Sequence, residues 1–151
     1  MNDRSNPIVV RQTTISSYGG GAPARDDGSD PFPAVDGHVE HPALAPGTVN
    51  HREFQVVIAR RAVREGTLVV LPTGIGKTVI AVLVAAEVLA RGDGRVLVLA
   101  PTPPLAQQHA VSLRRFLRDP RGVELFTGGV TAGARADAWA RARVGVSTPQ
   151  C

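Results

Sequence analysis

Cysteine is almost missing from this chain. Cys151 is the only one in 151 residues and it is the last of them, which excludes an internal disulfide framework and suits a reducing compartment. Long apolar runs are missing too. The longest, Val79 to Ala86, is far too short to span a bilayer. The opening MNDRSNP lacks the apolar region of a secretory signal, so a cytoplasmic protein is expected. Aromatic side chains make up 4% of the residues, and the single tryptophan, Trp139, is expected in the core. The most telling scarcity is lysine: of seventeen basic side chains sixteen are arginine, and Lys77 is the exception. Arginine and lysine diverge where a compact point charge on a flexible stem is required.

What is present divides unevenly. Residues 1–50 carry three arginines against six acids, while residues 51–151 carry fourteen basic residues against seven acids. A basic body behind an acidic leader favours contact with a polyanion and leaves the fold open. The length suits one domain plus a tail and excludes a complete multi-domain machine. Residues 1–47, with the triple glycine at 19–21, five prolines from Pro7 to Pro42 and aspartates at 26–30, show no sustained periodicity. They are expected to form a disordered or loosely ordered leader, the strand-like patch at Ile8 to Val10 notwithstanding. Residues 48–151 are expected to form the domain.

Within that domain, Phe54, Val57, Ile58, Ala62 and Val63 recur at helical spacing over 52–65, and Gly66 ends the helix. TLVVL at 67–71 reads as a strand buried on both faces. Residues 77–91 read as a heavily buried helix and 95–100 as a second buried strand. A helix follows over 103–117, its prolines tolerated in the first turn, with Leu105, Ala106, His109, Leu113, Phe116 and Leu117 on the apolar face. Strands at 123–126 and 143–147 flank a short helix at 132–142. This alternation predicts an α/β fold with right-handed crossovers and a mostly parallel sheet. Ligands on such sheets sit beyond the carboxyl ends of the strands.

One motif lies at such an end. Pro72-Thr73-Gly74-Ile75-Gly76-Lys77-Thr78 joins strand 67–71 to the following helix, the order a phosphate-binding loop requires. Gly74 and Gly76 let the backbone N–H groups approach phosphate oxygens, and the helix N-terminus adds partial positive charge. Lys77 would neutralise the β- and γ-phosphates and the Thr78 hydroxyl would ligate Mg²⁺. The longer loop pattern asks for another glycine where Leu71 stands, so the match is to the shorter TGxGK[ST] form.

LPTGIGKT resembles motif I of the superfamily 2 helicases and translocases, the DExD/H-box group, and further segments resemble that family in order. Arg52 and Gln55 in HREFQ resemble its adenine-reading element; one glutamine amide can both donate to and accept from an adenine edge. Pro101, Thr102, Leu105 and Gln108 in APTPPLAQQ resemble motif Ia. Thr127 and Gly128 in TGG, and Thr148 and Pro149 in TPQ, resemble loops that grip a nucleic-acid backbone. Together with HPALAP and the segment around Trp139, they look most like the archaeal Hef-type helicases and their Fanconi anaemia group M relatives. The resemblance implies a RecA-like P-loop NTPase domain that binds ATP and Mg²⁺ and works with a second RecA-like domain on forked or branched DNA.

The family pattern also demands an Asp-Glu motif to hold Mg²⁺ through water and to activate the attacking water, and no Asp-Glu pair occurs in the chain. The expectation is therefore a RecA-like domain incomplete at its C-terminus, cut before the acidic motif, that binds ATP weakly and hydrolyses it negligibly. The rival readings are a non-catalytic nucleotide- or DNA-binding remnant and a motor subunit of a restriction-type translocase. His38 and His41 have no ligand partners at metal spacing in the sequence, and His51 and His109 read as surface or packing residues.

Overall fold

The structure, a computed structural model, describes residues 29–92, 94–126, 128–129 and 131–151. A small antiparallel pair, β1 (Ala34–Val35) and β2 (His38–Val39), precedes α1 (Glu53–Arg64) and α2 (Lys77–Ala90). Then follow β3 (Val96–Leu99), α3 (Pro103–Phe116), β4 (Val123–Leu125), α4 (Ala132–Arg141) and β5 (Val144–Ser147). The last three strands form one parallel sheet in the order β3-β5-β4. The α/β class and the parallel sheet are as the alternation predicts, and all four helices lie within a residue or two of their expected positions.

Burial explains the layering. β5 is the central strand and is buried throughout. Val96 and Val98 pair in register with Val144 and Val146, and all four join the core that contains Ile80, Leu83, Ala106, Ala110 and Leu113 of α2 and α3. Leu97 pairs with Gly145, so these two share the opposite face of the sheet. There Trp139 of α4 lies over Gly145: a Cβ on that glycine would sit 2.5 Å from Trp139 Cζ3 and 2.8 Å from Phe126 Cε2. Trp139 is therefore not in the core as expected: it packs on the outer face of the sheet over Gly145 and is 37% exposed.

Several expectations are corrected. The expected strand 67–71 is not formed: these residues pair with no described strand. It is not buried on both faces: Val69 and Leu71 pack on the core while Leu68 and Val70 are exposed. A continuous apolar run cannot by itself reveal whether a neighbouring strand is present. On α1 the inward stripe is Gln55, Val56 and Ala59, with Phe54 and Val57 exposed. The stripe is rotated because a glutamine occupies a buried position that apolar counting passes over. On α3 the stripe is Ala106, Ala110 and Leu113, and Leu105 is exposed.

The expected leader boundary also moves. Residues 1–28 lie outside the described residues, but 29–47 are packed, with Phe32, Val39 and Leu44 in the core. This segment docks through its backbone: Ala45 N–H donates to Phe116 O at 2.8 Å and Arg118 N–H to Ala43 O at 2.9 Å. His41 and Glu87 are fully buried and 2.9 Å apart, and Glu87 also accepts from Arg91 Nε at 2.9 Å. Ala43 N–H donates to His41 Nδ1 at 3.2 Å, which leaves Nε2 as the nitrogen that donates to Glu87. Short polar residues, prolines and glycines hid this order, because the contacts span dozens of residues in sequence. At the outer rim, Arg60 clasps Asp30 with Nε–Oδ1 at 2.9 Å and Nη2–Oδ2 at 2.5 Å.

Two outcomes test this packing. Gly145→Ala should cost about 1–3 kcal/mol by overpacking against Trp139 and Phe126, read as a lower denaturation midpoint. The Arg60 hydrogen bond holds the Asp30 carboxyl below its ordinary value against the opposing effect of burial. A lowered carboxyl stabilises the fold above its unfolded pKa and loses that contribution as pH falls. Asp30→Asn should therefore cost no more than about 1 kcal/mol near neutrality, since the pair is partly exposed. The difference from wild type should shrink below about pH 4 in urea titrations.

Candidate nucleotide site and strand-end loops

The loop that enters α2 is shaped by its glycines. Gly74 and Gly76 have φ of +84° and +97°, a region that other residues reach only with strain. Gly76 is the N-cap of α2 and makes no side-chain cap, so the first amides of a fourteen-residue helix are left open at the loop. Thr78 follows, half-buried, with no hydrogen bond from its hydroxyl among the described residues. An uncapped helix start beside two left-handed glycines is an anion-binding geometry.

Lys77 crosses this loop. Its Nζ donates to Leu71 O at 2.6 Å and to Pro72 O at 2.9 Å, so the only lysine in the chain is folded onto the backbone at the loop's start. Pro72 and Thr73 are exposed there, and Ile75 is half-buried.

Gln55 reaches the same loop from α1. It is 2% exposed, and its Nε2 donates to Ile75 O at 3.1 Å and to Gly76 O at 3.4 Å. A Cβ on Gly76 would collide with that amide. The glutamine singled out from the sequence is thus brought to the loop, where it braces the backbone; this contact carries no signal in the motif. Arg52 lies one turn earlier as the N-cap of α1 and is exposed, without a capping side-chain bond.

The other candidate residues gather at the carboxyl ends of the sheet strands. Pro101 and Thr102 follow β3, Gly128 follows β4, and Thr148 and Pro149 follow β5; Leu99 is in register with Ser147, and Leu125 with Val146. Thr102 is the N-cap of α3 with no side-chain cap bond, and Gln108 is exposed on that helix. Gly128 and Pro149 are exposed and Thr148 half-buried. Thr127 lies outside the described residues.

The residues missed by sequence reasoning are His41, Glu87 and Arg91, which tie the segment after Ser29 to α2. A single buried glutamate in an otherwise aliphatic helix was the available signal. Among the described residues no group of three or more His, Cys, Asp or Glu side chains could hold a metal ion, and no helix is long and apolar enough to cross a membrane.

A family model for the DEAD/DEAH box helicases matches residues 52–151, and the chain belongs to that family. Its core is the RecA-like helicase fold. The helicase domain of Pyrococcus furiosus Hef superposes with a TM-score of 0.62 at 46% identity, over 66% of this chain and 21% of that one. The UvsW helicase of bacteriophage T4 shares the fold at a TM-score of 0.53 and 23% identity, over 72% of this chain and 39% of its own. A Methanocaldococcus jannaschii protein named as an ATP-dependent RNA helicase is 41% identical over 113 residues, 74% of this chain and 14% of its own length. The Fanconi anemia group M protein of Gallus gallus is 39% identical over 101 residues, 66% of this chain and 5% of its own. The chain thus spans a small part of the relatives that it matches.

The brace between α1 and the loop can be tested by a double-mutant cycle. Gly76→Ala should destabilise the fold by about 1–2 kcal/mol through its backbone conformation alone, and by more through the collision with Gln55. Adding Gln55→Ala should recover the collision part and leave the backbone part, read as non-additive shifts in urea midpoints.

Proposed function

We propose that residues 48–151, joined by the packed segment that precedes them, are the ATP-binding portion of the first RecA-like domain of an ATP-dependent DNA helicase or translocase acting on forked or branched DNA. The observation that carries this reading is the loop itself: two left-handed glycines, an uncapped helix start and the sole lysine converge at one point. Donor chemistry of this kind fits a triphosphate. Backbone N–H groups of 74–78 would cradle its oxygens, and Lys77, released from Leu71 O and Pro72 O, would neutralise the β- and γ-phosphates. The Thr78 hydroxyl would supply one Mg²⁺ ligand. Mg²⁺ would offset the phosphate charge when bound.

In this reading Gln55, with Arg52, faces the adenine and links base to loop through its bonds to Ile75 O and Gly76 O. Pro101, Thr102, Gln108, Thr127, Gly128, Thr148 and Pro149 form the track for the DNA backbone, which open amides and hydroxyls at strand ends suit. DNA is favoured over RNA because several of the matched relatives are named as DNA helicases.

Residues 72–78, 100–108, 126–129 and 148–151 contain no Asp or Glu. The group that would activate water is therefore not supplied by these loops, and this chain alone should bind ATP–Mg²⁺ without turning it over. The whole motor's activity would need that acid and a second RecA-like domain. A non-catalytic DNA-binding remnant would show DNA affinity with no nucleotide binding.

A fluorescent ATP analogue titrated into the purified chain should bind, and Lys77→Ala should weaken binding at least about tenfold, or 1.4 kcal/mol. Phosphate release should stay at background with or without DNA. Identical titrations for the two proteins, or steady turnover lost in Lys77→Ala, would each overturn part of this reading: the first the site, the second the inability to hydrolyse.

A further inference from the structure

The loop that enters α2 is held from two directions. Gln55 braces it from α1 through Ile75 O and Gly76 O, and α2 itself starts at Lys77. Further along that helix, about 15 Å from its start, the buried Glu87 lies 2.9 Å from His41 Nε2. His41 is placed by its own segment: Nδ1 accepts from Ala43 N–H, and the ring lies against Phe32 with centroids 5.7 Å apart. That segment is bound back to the residues leading into α1. Val39 N–H donates to Val49 O and His51 N–H to Gly37 O, each at 2.8 Å, and α1 begins at Glu53. The contacts thus close a ring: loop, Gln55, the start of α1, residues 37–51, His41, Glu87, and back along α2 to Lys77. Two of its links are made by side chains, Gln55 to the loop and His41 to Glu87. The others are covalent chain or backbone hydrogen bonds.

We propose that His41 is a positioning residue for the candidate nucleotide loop: by holding Glu87 it sets where α2 starts relative to Gln55, and so tunes the affinity for a nucleoside triphosphate. The ligand in this inference rests on the phosphate-loop reading; the mechanical link does not. A helix carries a displacement of one end to the other because its backbone bonds fix the rise, which makes it a rigid connector between distant groups. Without the His41 bond, α2 can shift against α1. The loop has no slack to absorb that shift, since the Gln55 amide already fills the space beside Gly76. Backbone N–H groups moved out of line lose phosphate affinity, because a hydrogen bond weakens steeply with distance and angle.

Two amide variants of the full chain separate this role from a merely stabilising one. His41→Gln carries an N–H to where Nε2 stands, while His41→Asn ends near Nδ1 and takes that donor away from Glu87. Each is measured at a temperature where circular dichroism shows it fully folded. Affinity for a fluorescent ATP analogue should fall at least about threefold in His41→Asn and return toward the wild-type value in His41→Gln. The Gln55 side-chain amide, followed by NMR without nucleotide, should shift in His41→Asn and stay in place in His41→Gln. Unchanged affinity with an unmoved Gln55 signal in folded His41→Asn would overturn the proposal. If that variant does not fold, native-state hydrogen exchange on the wild type decides. The Ala45 and Arg118 amides and the Val79 amide, which donates to Gly76 O at 3.0 Å, should open in one step. Opening of Ala45 and Arg118 at lower free energy, with Val79 still protected, would overturn it too. A wild type that binds no nucleotide would overturn the phosphate-loop reading and the affinity claim with it, whereas binding indifferent to His41→Asn overturns this inference alone.

Discussion

One carboxylate, that of Glu87, holds two parts of this fold together. It is fully buried in the helix that starts at the phosphate loop, and it is shared between His41 and Arg91. Removing either partner takes one compensating contact from a buried carboxylate, which destabilises the fold. The segment from Ser29 to His51 therefore cannot leave the domain without exposing a charge-bearing site built for it. The same segment closes over α3 through backbone bonds from Ala45 and Arg118. The position of α2, and with it the loop at its start, depends on residues that precede α1.

The phosphate loop gains its shape from two further constraints that act from different directions. Positive φ at Gly74 and Gly76 turns the chain, and the Gln55 amide, inserted from α1, occupies the space that a side chain at Gly76 would need. Lys77, bonded to Leu71 O and Pro72 O, ties the helix start back to the beginning of the loop. Under the proposed function, a triphosphate bound there would exchange those two bonds for phosphate contacts, and part of its affinity would go into opening the loop.

Much of the architecture could be read from the residues. Helix bounds were legible because Gly66 and the prolines in the first turn of α3 punctuate the chain locally. Strands β3, β4 and β5 were legible as short aliphatic runs. The turn of the candidate phosphate loop was legible because Gly74 and Gly76 mark where the chain takes positive φ. Tertiary facts were not. The unpaired state of 67–71 depends on what lies beside it, and the burial of Gln55 depends on two carbonyls in a distant loop. The order of residues 29–47 arises from contacts such as His41 with Glu87, separated by 46 positions, which no local pattern encodes. Composition alone made that stretch resemble its neighbours at 1–28.

The solitary ammonium side chain has a practical corollary. Lys77 is exposed at the loop, and every other basic side chain except the histidines is a guanidinium, a group inert to reagents that acylate amines. Apart from the N-terminus, an amine-directed tag has a single address on this molecule. The chain thereby carries an intrinsic reporter in the middle of its most interesting loop, one that needs no engineered cysteine and whose labelling rate registers whether Nζ is tied to the backbone or free.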